Sequence, residues 1–180
     1  MQRLIAALGA AALLAAGPAL AALKVGAKAP DFSTQASVGG KPFPFKLSQA
    51  LRKGPVVLYF FPAAFTTGCT IEAHQFAEAS DEFKANGATL IGLTAGNIDR
   101  VTEFSVSECR SKFAVAADPK AAVAKRYDAL FPNRAELSDR TSYVIAPNGK
   151  IIFVHSDLKP DEHVALTLAA VKKWRAEHPK

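Results

Sequence analysis

The feature that most constrains the fold is the run PVVLYFF at 55–61, which is apolar throughout and rich in β-branched and aromatic side chains. Such a run predicts a strand that is buried on both faces of a sheet. Residues 70–85 carry apolar side chains at helical spacing, and Asn86-Gly87 is a typical helix stop. ATLIGLT at 88–94 is a second apolar strand. A strand, a helix and a strand in this order predict a parallel crossover.

The rest of the chain continues this alternation. KPFPFKL predicts a short edge strand, because an edge strand tolerates proline. The fold class that these patterns predict is α/β, a three-layer domain with a mixed central sheet flanked by helices. The further elements predicted are a helix over 98–108, an extended piece at 113–116, a helix at 121–129, a loop over 131–140, a hairpin of strands 141–147 and 150–156 around Asn148-Gly149, and a helix over 161–177.

Residues 1–21 are predicted to be a cleavable signal peptide. Arg3 precedes an apolar stretch over 4–16, and a Gly-Pro breaker and small residues at 19–21 follow. A membrane anchor is the alternative, but this stretch is shorter than the ~20 residues that span a bilayer. Removal leaves 180 − 21 = 159 residues, 22–180, as one domain. The expected location is an exported compartment, the bacterial periplasm, with no membrane contact after cleavage.

The charge and the histidine and cysteine spacings exclude two classes of function. The chain has 22 Lys and Arg against 16 Asp and Glu, a formal net charge of +6. The basic residues are scattered rather than clustered with aromatic residues, so nucleic acid is not an expected partner. The four histidines and two cysteines lack the spacings of metal ligands, and we expect no metal.

The two cysteines, Cys69 and Cys109, permit two interpretations. In an exported protein they can form one structural disulfide, which the chain-entropy model values at roughly 4 kcal/mol. Cys69, however, follows a predicted buried strand and begins a predicted helix, where backbone N–H groups and the helix dipole favour an anion. Lowering a thiol pKa from about 8.5 to about 6 raises the thiolate fraction at pH 7 roughly thirty-fold. Cys69 is therefore the best candidate for a reactive nucleophile, and the structural disulfide stays open as the alternative.

The segment around Cys69 resembles the peroxiredoxins. Pro62, Thr66 and Cys69 match the P-x-x-x-T-x-x-C signature of that family, and Glu72 follows three residues later. In DRTSYVIAPNGKI, Arg140 stands where the family has an arginine that opens the strand before a hairpin. The order of elements is also similar, so the resemblance covers essentially the whole chain after the predicted signal.

This resemblance implies a thioredoxin-like fold and a thiol peroxidase that needs no cofactor. Cys69 would be the peroxidatic cysteine, which attacks hydrogen peroxide or an organic hydroperoxide and becomes a sulfenic acid. Thr66 would bind the peroxide by a hydrogen bond. Arg140 would lower the pKa of Cys69 and stabilise the leaving oxygen, and Glu72 would orient Arg140. Pro62 would keep water and bulky reactants away.

Within the family, TTGCT and the lack of a long C-terminal arm are similar to the Q-type group, also called bacterioferritin comigratory proteins. Many of those proteins carry a resolving cysteine five residues after the first, where this chain has His74. Cys109 is therefore predicted to resolve Cys69 as an intramolecular disulfide, with local unwinding of the Cys69 turn. A thioredoxin-like or other thiol reductant is the expected partner, and we expect a monomer.

The competing function is a thioredoxin-like disulfide oxidoreductase or redox-binding module in which Cys69–Cys109 is a structural disulfide. Such oxidoreductases usually carry C-x-x-C, whereas Thr66 and Glu72 occupy the two positions three residues from Cys69. The histidines add nothing to either interpretation: His74 is expected on the surface, and the others show no partner pattern. Trp174 is expected to pack in the core.

Overall fold

The computed structural model describes residues 22–179, so the predicted signal peptide lies outside the described part. Within that part, no helix combines the length and the apolar composition that crossing a membrane requires. The strands are β1 (Ser33–Val38), β2 (Lys41–Lys46), β3 (Val56–Ala63), β4 (Thr89–Gly96), β5 (Ala114–Ala117), β6 (Leu130–Phe131), β7 (Arg134–Ser138), β8 (Thr141–Ile145) and β9 (Ile151–Ser156).

Five α-helices and two short 3-10 turns connect these strands. The α-helices are α1 (Leu47–Leu51), α2 (Thr67–Ala85), α3 (Val101–Ser107), α4 (Ala122–Arg126) and α5 (His163–Glu177), and the 3-10 turns are Ile98–Arg100 and Pro119–Ala121. The predicted helices over 98–108 and 121–129 are thus real but shorter, and α2 begins three residues earlier than its apolar spacing predicts.

Seven strands form one sheet in the order β2-β1-β5-β4-β3-β8-β9. The central strands β3, β4 and β5 run parallel, as the crossover pattern predicts. Antiparallel pairs extend the sheet on both sides, with β2 and β9 at the edges. Helices cover both faces. The predicted α/β class, a thioredoxin-like three-layer domain with a mixed sheet, is confirmed.

Strand β3 separates two apolar cores, because successive side chains of a strand point to opposite faces. All six residues from 56 to 61 are fully buried. Val57, Tyr59 and Phe61 pack in the core beneath α2, α3 and α5, and the alternate residues pack in the core beneath α1 and α4. The strand is therefore fixed from both sides, and so is the loop at its C-terminal end.

Two segments of strand differ from the sequence prediction. The loop predicted over 131–140 is wrong: β6 and β7 pair there around a tight turn in which Asn133 has a φ of 59°. Strand β1 was also not predicted, since STQASV holds small and polar residues that give no apolar run. Both form because neighbouring strands supply backbone partners, which local composition does not reveal.

Candidate active site

Cys69 lies in the first turn of α2, just beyond the C-terminal end of β3. Thr66 is the N-cap residue with an extended backbone, so Cys69 is the third residue of the helix. The first N–H groups of a helix have no carbonyl partner within it, and the helix dipole adds positive potential at this end. The Cys69 side chain is 1% exposed. Its sulfur therefore lies in a dry site whose backbone favours a negative charge.

Arg140 reaches this sulfur from a position 71 residues further along the chain. It directly precedes β8, and the pairing of Thr141 with Phe60 places it beside the end of β3. Its Nη2 atom donates to Cys69 Sγ at 3.5 Å, and its Nε atom donates to the Leu158 carbonyl at 2.8 Å. Burial alone would lower the pKa of Arg140, but Glu72 and Cys69 raise it, so the guanidinium stays charged.

Glu72 lies one turn after Cys69 on α2, which puts both side chains on the same face. Its Oε2 atom accepts a hydrogen bond from Arg140 Nη1, and the carboxyl is fully buried. Its Oε1 atom has no hydrogen-bond partner among residues 22–179. Burial raises the pKa of Glu72 to about 8, even though the charge of Arg140 opposes that shift. The carboxyl can therefore hold a proton near neutral pH.

Gly68 belongs to this site, although the sequence analysis missed it. A Cβ atom at position 68 would lie 3.0 Å from Arg140 Nη2. The missing side chain thus leaves the space through which the guanidinium passes on its way to the sulfur. No local pattern signals this requirement, because the atom that needs the space comes from the far end of the domain.

Thr66 and Pro62 lie on the strand–helix connection but are not bonded to the sulfur. The Thr66 hydroxyl is exposed and donates to the Ala63 carbonyl at 3.0 Å. The hydroxyl oxygen of Thr66 can still accept a hydrogen bond. Pro62 lies within β3 rather than in the loop where the sequence places it, and its carbonyl accepts from Thr94 Oγ1 at 3.2 Å. The roles that the resemblance gives these two residues stay predictions.

Cys109 follows α3 and lies in the same apolar core as Cys69, yet the two cysteines are free. The Cys109 side chain is fully buried, and its pKa is raised, first by burial and then by the charge of Glu108. Arg110 and Ser111, the next two residues, have left-handed φ values of 48° and 57°. Such a backbone is strained for residues with a side chain. Cys109 is thus inert at rest but lies beside a strained turn.

The histidines divide into exposed and buried. His74 is 37% exposed and lies 2.8 Å from Glu108, so the surface position expected for it is confirmed. His163 is fully buried, and its Nδ1 atom is 3.7 Å from Glu72 Oε1. No sequence pattern links His163 to Glu72, because α5 begins 91 residues after Glu72. Trp174 is only partly buried and stacks on His178 rather than in the core.

Taken together, the site is a cysteine at a helix N-terminus with a buried arginine and glutamate against it, on a thioredoxin-like fold. That combination defines a thiol-based redox protein. No group of three or more His, Cys, Asp or Glu side chains in the described residues is placed to share a metal ion.

The comparisons with known proteins agree with this class. The model of the AhpC/TSA family matches residues 25–154, and the chain belongs to that family. A Mycobacterium tuberculosis protein named as a peroxiredoxin is 29% identical over 157 residues, 86% of this chain and 99% of that protein. Peroxiredoxin Q of rice chloroplasts (Oryza sativa subsp. japonica) is 30% identical over 145 residues, 79% of this chain and 64% of its own.

Solved structures show the same likeness. The crystal structure of peroxidoxin BcpB from Mycobacterium tuberculosis has a TM-score of 0.73 at 29% identity, covering 84% of this chain and 97% of that one. The reduced 2-Cys peroxiredoxin of Plasmodium vivax has a TM-score of 0.75 over 87% of this chain and 99% of its own. Its identity is 22%, so it supports the fold alone.

Proposed function

We propose that this chain is an atypical 2-Cys peroxiredoxin, in which Cys69 reduces the peroxide and Cys109 resolves the oxidised sulfur. The family membership and the fold of the chain support a thiol-dependent peroxidase activity. The observation that carries the proposal is the contact of Arg140 Nη2 with Cys69 Sγ at 3.5 Å, in a buried site at a helix N-terminus.

In the first step, the Cys69 thiolate attacks one oxygen of a hydroperoxide. The S–O bond forms as the O–O bond breaks, and the leaving oxygen takes a proton to become water or an alcohol. Negative charge moves from sulfur to oxygen beside Arg140 and the first turn of α2, both of which can stabilise it. One preorganised donor of this kind is worth about 10²–10³ in rate. The free lone pairs of the Thr66 hydroxyl suit the proton of the bound peroxide.

In the second step, the Cys109 thiol attacks the sulfenic acid of Cys69, so that a disulfide forms and water leaves. Because both side chains are buried in the resting fold, one of the two segments must open locally. Two features favour such opening: Thr66 and Thr67 at the start of α2 are exposed, and the turn after Cys109 is strained. A thioredoxin-like or other dithiol reductant then returns both cysteines to thiols.

The location and assembly belong to the same proposal. The apolar stretch and small residues in 1–21 support export, and the bacterial periplasm is the proposed compartment. The domain over 22–180 would then work as a monomer, since both proposed redox cysteines belong to one chain. Sedimentation of the reduced protein tests the monomer, and fractionation of an expressing cell tests the location.

The test of the mechanism is to add one equivalent of hydrogen peroxide to the reduced protein and map both cysteines by mass spectrometry. The expected product is a Cys69–Cys109 disulfide. In the Cys109→Ser variant, the expected product is a Cys69 sulfenic acid that a dimedone-type reagent traps. A sulfenic acid that persists in the wild type would remove the resolving role of Cys109. Consumption of peroxide no faster than by a free thiol would overturn the peroxidase itself.

A further inference from the structure

The carboxyl of Glu72 is only half satisfied. Oε2 is bonded to Arg140, whereas Oε1 has no hydrogen-bond partner among residues 22–179. A buried ionised oxygen without a donor is costly. Nδ1 of the buried His163 lies 3.7 Å from Oε1, about half an ångström beyond hydrogen-bond length. A histidine therefore faces the free oxygen of this carboxyl.

The hydrogen bonds of His163 fix which of its nitrogens carries the proton. Nε2 lies 2.9 Å from the Asp157 carbonyl, which can only accept, so Nε2 is the donor. Nδ1 is then unprotonated in the neutral ring, and its single lone pair can accept either from the Ser142 hydroxyl at 2.8 Å or from a protonated Glu72, whose Oε1 would have to close in from 3.7 Å. A hydroxyl can also accept, so Ser142 fits either state of Nδ1. This histidine therefore presents an unprotonated nitrogen to Glu72 and tolerates a proton there.

We propose that Glu72 and His163 hold one proton between Oε1 and Nδ1, which makes His163 a positioning residue that acts on Cys69 through Glu72 and Arg140. With that proton, the Glu72–His163 pair is neutral. The positive charge of Arg140 is then left to the Cys69 thiolate instead of being cancelled by a carboxylate. Without the proton, two negative groups compete for one guanidinium in a buried site, and the thiolate is less stable.

Burial favours placing this proton on Glu72 at neutral pH. The pKa of His163 is lowered to about 4, chiefly by burial and also by His155 and Arg140, while the Asp157 carbonyl and carboxylate oppose that shift. His155 on β9 packs edge-on against the ring at 4.6 Å. On the other side, burial raises the pKa of Glu72 to about 8. The imidazole is therefore the acceptor and the carboxyl the donor.

The two amide substitutions of His163 separate this role from a structural one. In His163→Asn the amide lies near the site of Nδ1, so it keeps an acceptor that faces Glu72 and Ser142. In His163→Gln the amide lies near the site of Nε2, so it keeps the bond to the Asp157 carbonyl and loses the acceptor. His178→Gln is the control for the loss of a histidine, since His178 is exposed and stacks on Trp174.

The experiment titrates the Cys69 thiolate by ultraviolet absorbance in the Cys109→Ser background, where one thiol remains. His163→Gln is expected to raise the midpoint by about one pH unit, a tenfold loss of thiolate below the midpoint. His163→Asn is expected to raise it less, and His178→Gln is expected to leave it in place. An unchanged midpoint in His163→Gln, or a larger shift in His163→Asn, would overturn the proposal.

The inference rests on the proposed function in one respect only, namely that the Cys69 thiolate is the group that attacks the peroxide. The titration contains no peroxide, so an inactive peroxidase would leave its result intact. If the His163 variants do not fold, infrared spectroscopy of the wild type replaces them. A protonated-carboxyl band at neutral pH that is lost in Glu72→Gln is expected, and its absence from the wild type would overturn the proposal.

Discussion

The two cysteines have different electrostatic surroundings although they share one apolar core. Cys69 is 1% exposed and Cys109 is fully buried, so solvent access does not distinguish them at rest. The difference is electrostatic. Arg140 and a helix N-terminus lie against Cys69, whereas burial raises the pKa of Cys109 and the charge of Glu108 raises it further. Burial makes a thiol inert unless the fold also supplies positive potential at the sulfur.

The backbones around the two cysteines also differ, and each difference suits a different step. Cys69 stands on the first turn of a 19-residue helix whose remaining turns are packed against the core. Cys109 stands at the end of a short helix, before two left-handed residues. A preorganised site suits attack on peroxide, because its donors must already be in place. A strained turn suits the local opening that a disulfide needs, and Phe65, with a φ of 64°, places one left-handed residue before the Cys69 turn as well.

The largest expected effect is the loss of the first cysteine. Cys69→Ser should reduce single-turnover peroxide consumption to the rate of a protein with no reactive thiol, by on the order of 10³ or more. Cys109→Ser should retain the fast first oxidation and lose only the disulfide. Stopped-flow kinetics with one equivalent of peroxide measures both. Equal losses of rate in the two variants would contradict the proposed difference between Cys69 and Cys109.

The second largest effect is expected when the geometry of the Arg140 side chain is changed but its charge is kept. Arg140→Lys keeps a positive charge, but a single ammonium cannot bond Sγ, Glu72 and the Leu158 carbonyl together. We expect the rate of Cys69 oxidation to fall about 10²-fold. The matched control is Arg134→Lys on exposed strand β7, which should leave the rate unchanged. A lower oxidation rate in the control, or an unchanged rate in Arg140→Lys, would show that the contact of Arg140 with Cys69 does not determine the rate.

The raised pKa of Glu72 predicts that the stability of the folded protein depends on pH. Its pKa in the folded state is raised to about 8 from 4.5, so its stabilising contribution is complete below pH 4.5 and is lost as pH rises through 8. Glu72→Gln removes this dependence. The Tm of the wild type should therefore fall relative to that of the variant between pH 5 and about 8. Asp139, whose pKa is raised to about 6, is present in both proteins, so its contribution cancels in the difference between their Tm values.

Thermal unfolding of the two proteins across that pH range makes the measurement. A difference in Tm that stays constant with pH would show that Glu72 is ionised throughout. It would also weaken the assignment of a shared proton to Glu72 and His163.

The smallest effect concerns the space beside the guanidinium. Gly68→Ala places a methyl group 3.0 Å from Arg140 Nη2, so the arginine must shift. We expect the oxidation rate to fall about fivefold, which corresponds to about 1 kcal/mol. Combining Gly68→Ala with Arg140→Lys forms a double-mutant cycle. The two effects should be less than additive, and full additivity would exclude the contact as the cause.

The sequence predicts the parts of this molecule whose determinants are local. Long apolar runs predict β3 and β4, and Asn86-Gly87 predicts the end of α2. Strands β1 and β7 escape prediction because their residues are small, polar or exposed, and β6 escapes it because it is only two residues long; pairing with neighbouring strands determines all three. Propensity is a weak guide where tertiary pairing decides.

The same distinction holds within the site. Thr66, Cys69 and Glu72 are close in sequence, and the match to one short family signature and the residues after it groups them. Arg140 is distant, and only the family resemblance links it to Cys69 before the structure shows the 3.5 Å contact. Gly68 and His163 have no signal in the sequence, because their importance depends on atoms that the fold brings from other elements.

The most direct test of the central claim is the rate at which each thiol of the reduced, resting protein is alkylated. Peptide mass spectrometry after timed exposure to iodoacetamide at neutral pH gives both rates in one sample. The account predicts that Cys69 is labelled at least about tenfold faster than Cys109, because Arg140 and a helix N-terminus lie at the sulfur of Cys69, whereas burial and the charge of Glu108 raise the pKa of Cys109. Equal rates, or faster labelling of Cys109, would contradict it.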